Sequence, residues 1–156
     1  MTAALRLAGP TAEPAPIRRI LLATDLSDAS VPATERALEL AAGLRAALVI
    51  VSVIDPSTTS GSRVDQVRRE REDAMTNLVT RARGRLIPTE YLIWTGDPGD
   101  SIVEAATAEA ADLVVVGSRG RSGIERALLG SVSDHVVRHA ACPVMVVRGR
   151  PDRGAG

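Results

Sequence analysis

The chain has no lysine: all nineteen of its basic residues are arginine, and nineteen acidic residues balance them to a formal net charge of zero. Without net charge there is no long-range field to gather nucleic acid or an anionic membrane surface, so partners must be recognised at local sites. The absence of lysine also excludes a Walker phosphate loop, whose GxxxxGK[ST] pattern requires one, and no GxGxxG follows the first apolar run as a dinucleotide enzyme would need. A single cysteine, Cys142, leaves no internal disulfide to form and suits a reducing compartment. No apolar run approaches the roughly 20 residues of a membrane span, and the opening MTAALRLAGP lacks the apolar core of a secretory signal. These absences predict a cytoplasmic protein with neither nucleic acid nor a membrane as partner.

What is present is an alternation over a length that suits one domain, 156 residues. The Ala/Pro/Thr-rich start and the closing GRPDRGAG read as flexible tails, 1–16 and 149–156, around a domain at 17–148. Within it, RILLAT (19–24), ALVIVSV (47–53), EYLIWT (90–95), DLVVVG (112–117) and PVMVV (143–147) read as strands buried on both faces. Helical spacing separates them over Pro32 to Leu44, Val64 to Ala82, Ile102 to Ala110 and Val132 to His139. The order βαβαβαβαβ predicts a single-domain α/β fold: a doubly wound five-stranded parallel sheet, strand order 3-2-1-4-5, helices on both faces. Asp97 before Pro98 signals a helix start, and Ser131 three residues before Asp134 signals an N-cap of the capping-box kind. STTSGS (57–62) reads as a surface loop or lid, and RREREDA (68–74) as a solvated helix face with Asp65 and Arg69 spaced to pair.

In such a sheet a ligand sits outside the carboxyl ends of the strands where their order reverses, between the first and fourth strands. Asp25 follows the first and GSRGRSGIERALLGSVSDH (117–135) the fourth. Gly117, Gly120 and Gly123 clear side chains away so that main-chain amides can face a bound group, and Gly130-Ser131 opens a helix whose first N–H groups carry positive partial charge. Ser131 and Ser133 add hydroxyls, and Arg119, preferred over Arg121, can pair with phosphate oxygens. Asp25 is acceptor-only when ionised, so it suits hydroxyls or an amino group at the other end of the ligand. Nucleotides have that layout. The alternatives are turn closure for the glycines, turn support for Asp25 and helix capping for Ser131.

The spacing G-2x-G-9x-G-[ST] formed by Gly117, Gly120, Gly130 and Ser131 resembles the motif of the universal stress proteins of the ATP-binding type. ILLATDLSDAS, LVIVSVID, GDPGDSIVEAA and ALLGSVSDHVVRHAACPVMVVR extend the likeness over most of Ile17 to Arg148. The resemblance implies that Asp25 and Val53 hold the adenine-ribose part of ATP, or of another adenine nucleotide, with or without magnesium. Val116, Gly117, Arg119 and Gly120 would line the ribose and phosphates, and Gly130, Ser131, Val132 and Ser133 the phosphate chain. Arg45 stands where many members have glycine. A regulatory role in stress response is implied, with weak ATP hydrolysis or chemistry on an adenylated or phosphorylated small molecule as the alternative; no general base is evident beyond Asp25.

Other candidates are weaker. His135 and His139 share a helix face but no further ligand completes a metal set. Cys142 precedes a buried strand and reads as packing. The last strand, Val144, Met145, Val146 and Val147, is a bare apolar edge, whereas Pro88 and Glu90 guard the other; a homodimer through the fifth strand is expected, as the resemblance also implies.

Overall fold

The computed structural model describes residues 13–119 and 129–149. Its elements are β1 (Arg19–Ala23), α1 (Val31–Leu44), β2 (Ala47–Ile54), α2 (Val64–Gly84), β3 (Thr89–Thr95), α3 (Pro98–Ala108), β4 (Leu113–Gly117), α4 (Ser131–His139) and β5 (Val144–Val147). All strand pairings are parallel, in the order β3-β2-β1-β4-β5, as the alternation predicts.

Because side chains alternate along a strand, each strand feeds two cores. Ile20, Leu22, Leu48, Ile50, Leu113 and Val115 meet α1 and α2, through Ala33, Ala37, Leu38 and Ala41 and through Met75, Leu78, Val79 and Ala82. Leu21, Val49, Val51, Val114 and Val116 meet Ile102, Ala105 and Ala106 of α3 and Val136 of α4 on the other face. The central strands therefore have no solvent face, which is why they are continuous apolar runs. Ile20, Leu21, Leu22 and Ile50 are fully buried, each contributing about 1.5–3 kcal/mol.

Helix ends show where local signals yield to tertiary contacts. Helix α3 begins a turn before its apolar spacing, because Asp97 accepts from the amide of Asp100 at 2.9 Å and Pro98 takes the first position. For α4 the expected Ser131 cap is corrected: Gly130 is the N-cap, Ser131 is the first helical residue and no side chain caps the helix. The Gly130 amide donates to Ser118 O at 2.8 Å, so main-chain contact with the end of β4 sets the turn one residue early. At the opposite ends, Arg45, Leu86 and Ala110 take left-handed backbone (φ 54, 62 and 49) and fold the last turns of α1, α2 and α3 closed.

The charge run on α2 also needs correction. Asp65 and Arg69 form no ion pair among the described residues; Gln66 instead donates to Glu70 at 3.0 Å. Arg68 turns inward and donates to Ile93 O at 3.3 Å and Thr95 Oγ1 at 2.9 Å. Arg71 likewise reaches the end of β2. Helix α2 crosses strand ends whose carbonyls need donors, and these arginines supply them.

Candidate functional site

At the carboxyl ends of β1 and β4 the chain leaves toward opposite faces, to α1 from one strand and to α4 from the other. A cleft of about 1030 Å³ opens there, a volume suited to a small-molecule ligand. Asp25, Val53, Val116, Gly117, Arg119, Gly130, Ser131, Val132 and Ser133 all line it. Gly120, with Arg121 and Gly123, lies outside the described residues.

The β1–α1 turn is built by its own hydroxyls. Thr24 Oγ1 accepts from the amide of Leu26 at 3.0 Å and donates to the Ser30 hydroxyl at 2.9 Å, which in turn donates to Ser27 O at 2.7 Å. Asp25 Oδ1 accepts from the amide of Ser27 at 3.0 Å and from its hydroxyl at 2.5 Å. Asp25 thus supports the turn while lining the cleft, so its two suggested roles coexist. Leu26 holds a left-handed φ of 63 with its side chain against the first core, a strained conformation maintained by the surrounding bonds.

Across the cleft, the first helical hydrogen bond of α4 runs from Asp134 N to Gly130 O. A helix leaves the amides before that bond without intrahelical acceptors, here those of Ser131, Val132 and Ser133. Ser133 Oγ donates to Gly130 O at 3.1 Å, tightening the turn from within. Gly130 makes a close approach: a Cβ there would lie 3.2 Å from Ser118 O, so that neighbour would have to give way. This end of the cleft carries main-chain N–H groups, and the other carries the Asp25 carboxylate.

Sequence reasoning missed the α2 wall. Arg71 lines the cleft together with Arg63, Glu70 and Asp55. Its Nη1 donates to Ser52 Oγ at 2.8 Å and Val53 O at 2.6 Å. The signal was available: Val64, Val67, Ala74 and Leu78 form the apolar stripe of α2, and Arg71 occupies the gap in it. Thr58, Thr59 and Ser60 also reach the cleft, as expected of a rim loop. That loop is anchored by Asp55, whose carboxyl is held below its ordinary value by the Ser57 hydroxyl and then the Ser57 amide.

The histidines join helices. His135 Nε2 lies 2.8 Å from Asp100 Oδ1, and its ring stacks on that of His139 at 4.2 Å, fastening α4 to the start of α3. Cys142 packs against the second core, and burial pushes its thiol above the ordinary range.

Fold and cleft together define a doubly wound α/β protein with a cleft at its switch point. The chain belongs to the universal stress protein family, whose model matches residues 16–148. It is similar to a universal stress protein of Methanocaldococcus jannaschii, 35% identical over 141 residues that cover 84% of this chain and 82% of the relative. The crystal structure of a universal stress protein in complex with cAMP is 32% identical, with a TM-score of 0.64, covering 86% of this chain and 98% of that one. UspA from Lactobacillus plantarum is 28% identical with a TM-score of 0.75, covering 86% and 100%. No described helix is long and apolar enough to cross a membrane.

Proposed function

We propose that this chain is a regulatory protein that holds ATP or another adenine nucleotide in the cleft, and that occupancy changes the order of the rim loops and so the surface shown to partners. One observation carries the proposal: the uncapped start of α4 and the Asp25 turn face one cleft, with apolar walls between them. Phosphates then meet the amides of Ser131, Val132 and Ser133 with Gly117, Arg119 and Gly120, while Asp25, Val53 and Val116 border the nucleoside. The relative in complex with cAMP supports an adenine nucleotide. The proposal extends to the cytoplasm as the place of action and to a homodimer through β5, a sheet edge paired only with β4 among the described residues.

Thermal melting with and without ATP, with magnesium present or omitted, tests the proposal. At a hundred times its dissociation constant ATP should stabilise the fold by ~2.7 kcal/mol, raising Tm by several degrees; no shift in either condition overturns it. Radiolabelled ATP should be retained stoichiometrically without turnover, and repeated turnover would favour an enzyme instead. Sedimentation at micromolar concentration should give a dimer; a monomer overturns that part.

A further inference from the structure

We infer that the contact between Gly99 and His135 aims the start of α4 at the cleft, which makes these two positioning residues for the phosphates of a bound nucleotide. That role rests on the nucleotide reading above and names what holds its phosphate end in place.

Helix α4 has little of its own to hold it. Of its nine residues only Ser133 and Val136 are buried, and no side chain caps its start. Helix α3 is better anchored: Asp97 caps it, Pro98 stands at its start, and Gly99, Ser101, Ile102, Ala105 and Ala106 are buried. Both helices face the cleft, α3 through Pro98 and Ile102 and α4 through Ser131, Val132 and Ser133. The bond from the Gly130 amide to Ser118 O fixes where α4 begins, but one hydrogen bond does not fix a direction. Direction comes from packing, through Val136 in the second core and through a seam against α3.

The seam is tight at Gly99. A Cβ there would lie 2.8 Å from His135 Cδ2, 2.9 Å from its Cγ and 3.2 Å from its Cβ, so the imidazole stands where any side chain at 99 would have to go. His135 Nε2 comes within 2.8 Å of Asp100 Oδ1. The ring of His139 stacks on that of His135, and its Nδ1 lies 2.9 Å from His135 O. The Asp100 side chain is 74% exposed, so water screens the charge contact and the packing against Gly99 is the larger part of the seam.

Helix geometry carries this from the seam to the cleft. Residues three and four apart share a helix face, so His135 stands one turn beyond Ser131 and Val132. The free N–H groups of a first turn point along the helix axis, and a tilt of α4 re-aims the amides of Ser131, Val132 and Ser133 together. Turning the imidazole alone does not make room for a methyl group at 99, because His135 Cβ keeps its place when the ring rotates; α4 must give by a few tenths of an ångström. Removal of the imidazole leaves α4 without that stop.

The test uses the full chain, with ATP as the probe and calorimetry well below the melting temperature. Gly99→Ala and His135→Ala should each weaken ATP about fivefold, and the double variant should bind no more weakly than the weaker single, because both changes act through one seam. In the ligand-free chain the NMR signals of the Ser131, Val132 and Ser133 amides should shift in both singles. A purely structural role would move the melting temperature and leave affinity alone. If either alanine variant does not melt as a folded protein, His135→Gln should take its place, with a smaller loss of affinity and the same amide shifts. Wild-type affinity in the folded variants, unmoved amides or penalties that simply add overturn the role of the seam while leaving nucleotide binding intact. A wild type that binds no ATP overturns the nucleotide reading and this inference together.

Discussion

The two ends of the sheet use similar residues to different effect. At the amino end, Asp112 Oδ2 accepts from the amides of Arg18 and Arg19, each at 2.9 Å, and Arg19 pairs with Glu90 and Glu109. At the carboxyl end, Asp25, Arg71 and Arg119 surround a cleft. Helix polarity accounts for much of the contrast. The amino end receives helix C-termini, and these close on themselves: Ala46 N donates to Ala41 O, Ile87 N to Ala82 O and Ala111 N to Ala106 O. The carboxyl end receives helix N-termini, and α4 has no capping side chain. Charged residues at a strand end are thus weak markers of a site; uncapped helix amides facing a hollow are stronger ones.

The largest effect should come from Gly130→Val. A side chain beginning 3.2 Å from Ser118 O forces the start of α4 away from β4, and ATP affinity measured by calorimetry should fall about a hundredfold. Binding at the wild-type level would remove the claimed distinction between the ends. Asp112→Ala should do the reverse: two main-chain donors lose their acceptor, lowering stability in urea by about 1–3 kcal/mol with ATP affinity unchanged. Asp97→Ala sharpens the contrast within the carboxyl end, because α3 is capped there by a side chain and α4 is not. Loss of that cap should destabilise by about 1 kcal/mol in the same assay.

The smallest effect concerns pH. Asp55 titrates below its ordinary value of 3.8 in the folded chain because Ser57 donates to it. A folded pKa below the unfolded one means that the contact is present in full above 3.8 and is lost as pH falls through the folded value. The NMR signal of the Ser57 amide should therefore move with a midpoint below that pH, with the cores unaffected. A midpoint at or above 3.8 would break the assignment.

Much of the fold was legible because its causes are local or periodic. Apolar runs of strand length separated by 3.6-period stripes specify a parallel sheet, and Asp97-Pro98 marks a helix start without help from the rest of the molecule. The glycine and serine spacing from Gly117 to Ser133 pointed to the cleft through main-chain geometry and family likeness together. Arg71 was read as solvated because a charged residue in a charge run ordinarily is, and nothing nearby in sequence says that Val53 O waits for it. Ser131 was read as the cap because the hydroxyl pattern is local, whereas the contact that moved the cap to Gly130 comes from Ser118.

By itself the sequence determined the alternation of elements, their layering and the two segments that meet at the switch point, since burial periodicity and glycine spacing are properties of short stretches of chain. Only the tertiary structure decided which residue caps α4, that Asp25 both braces a turn and lines the cleft, and that Arg71 leaves solvent for the end of β2. Those outcomes depend on groups far apart in the chain, and they are set by which main-chain donors and acceptors remain to be satisfied once the sheet has formed.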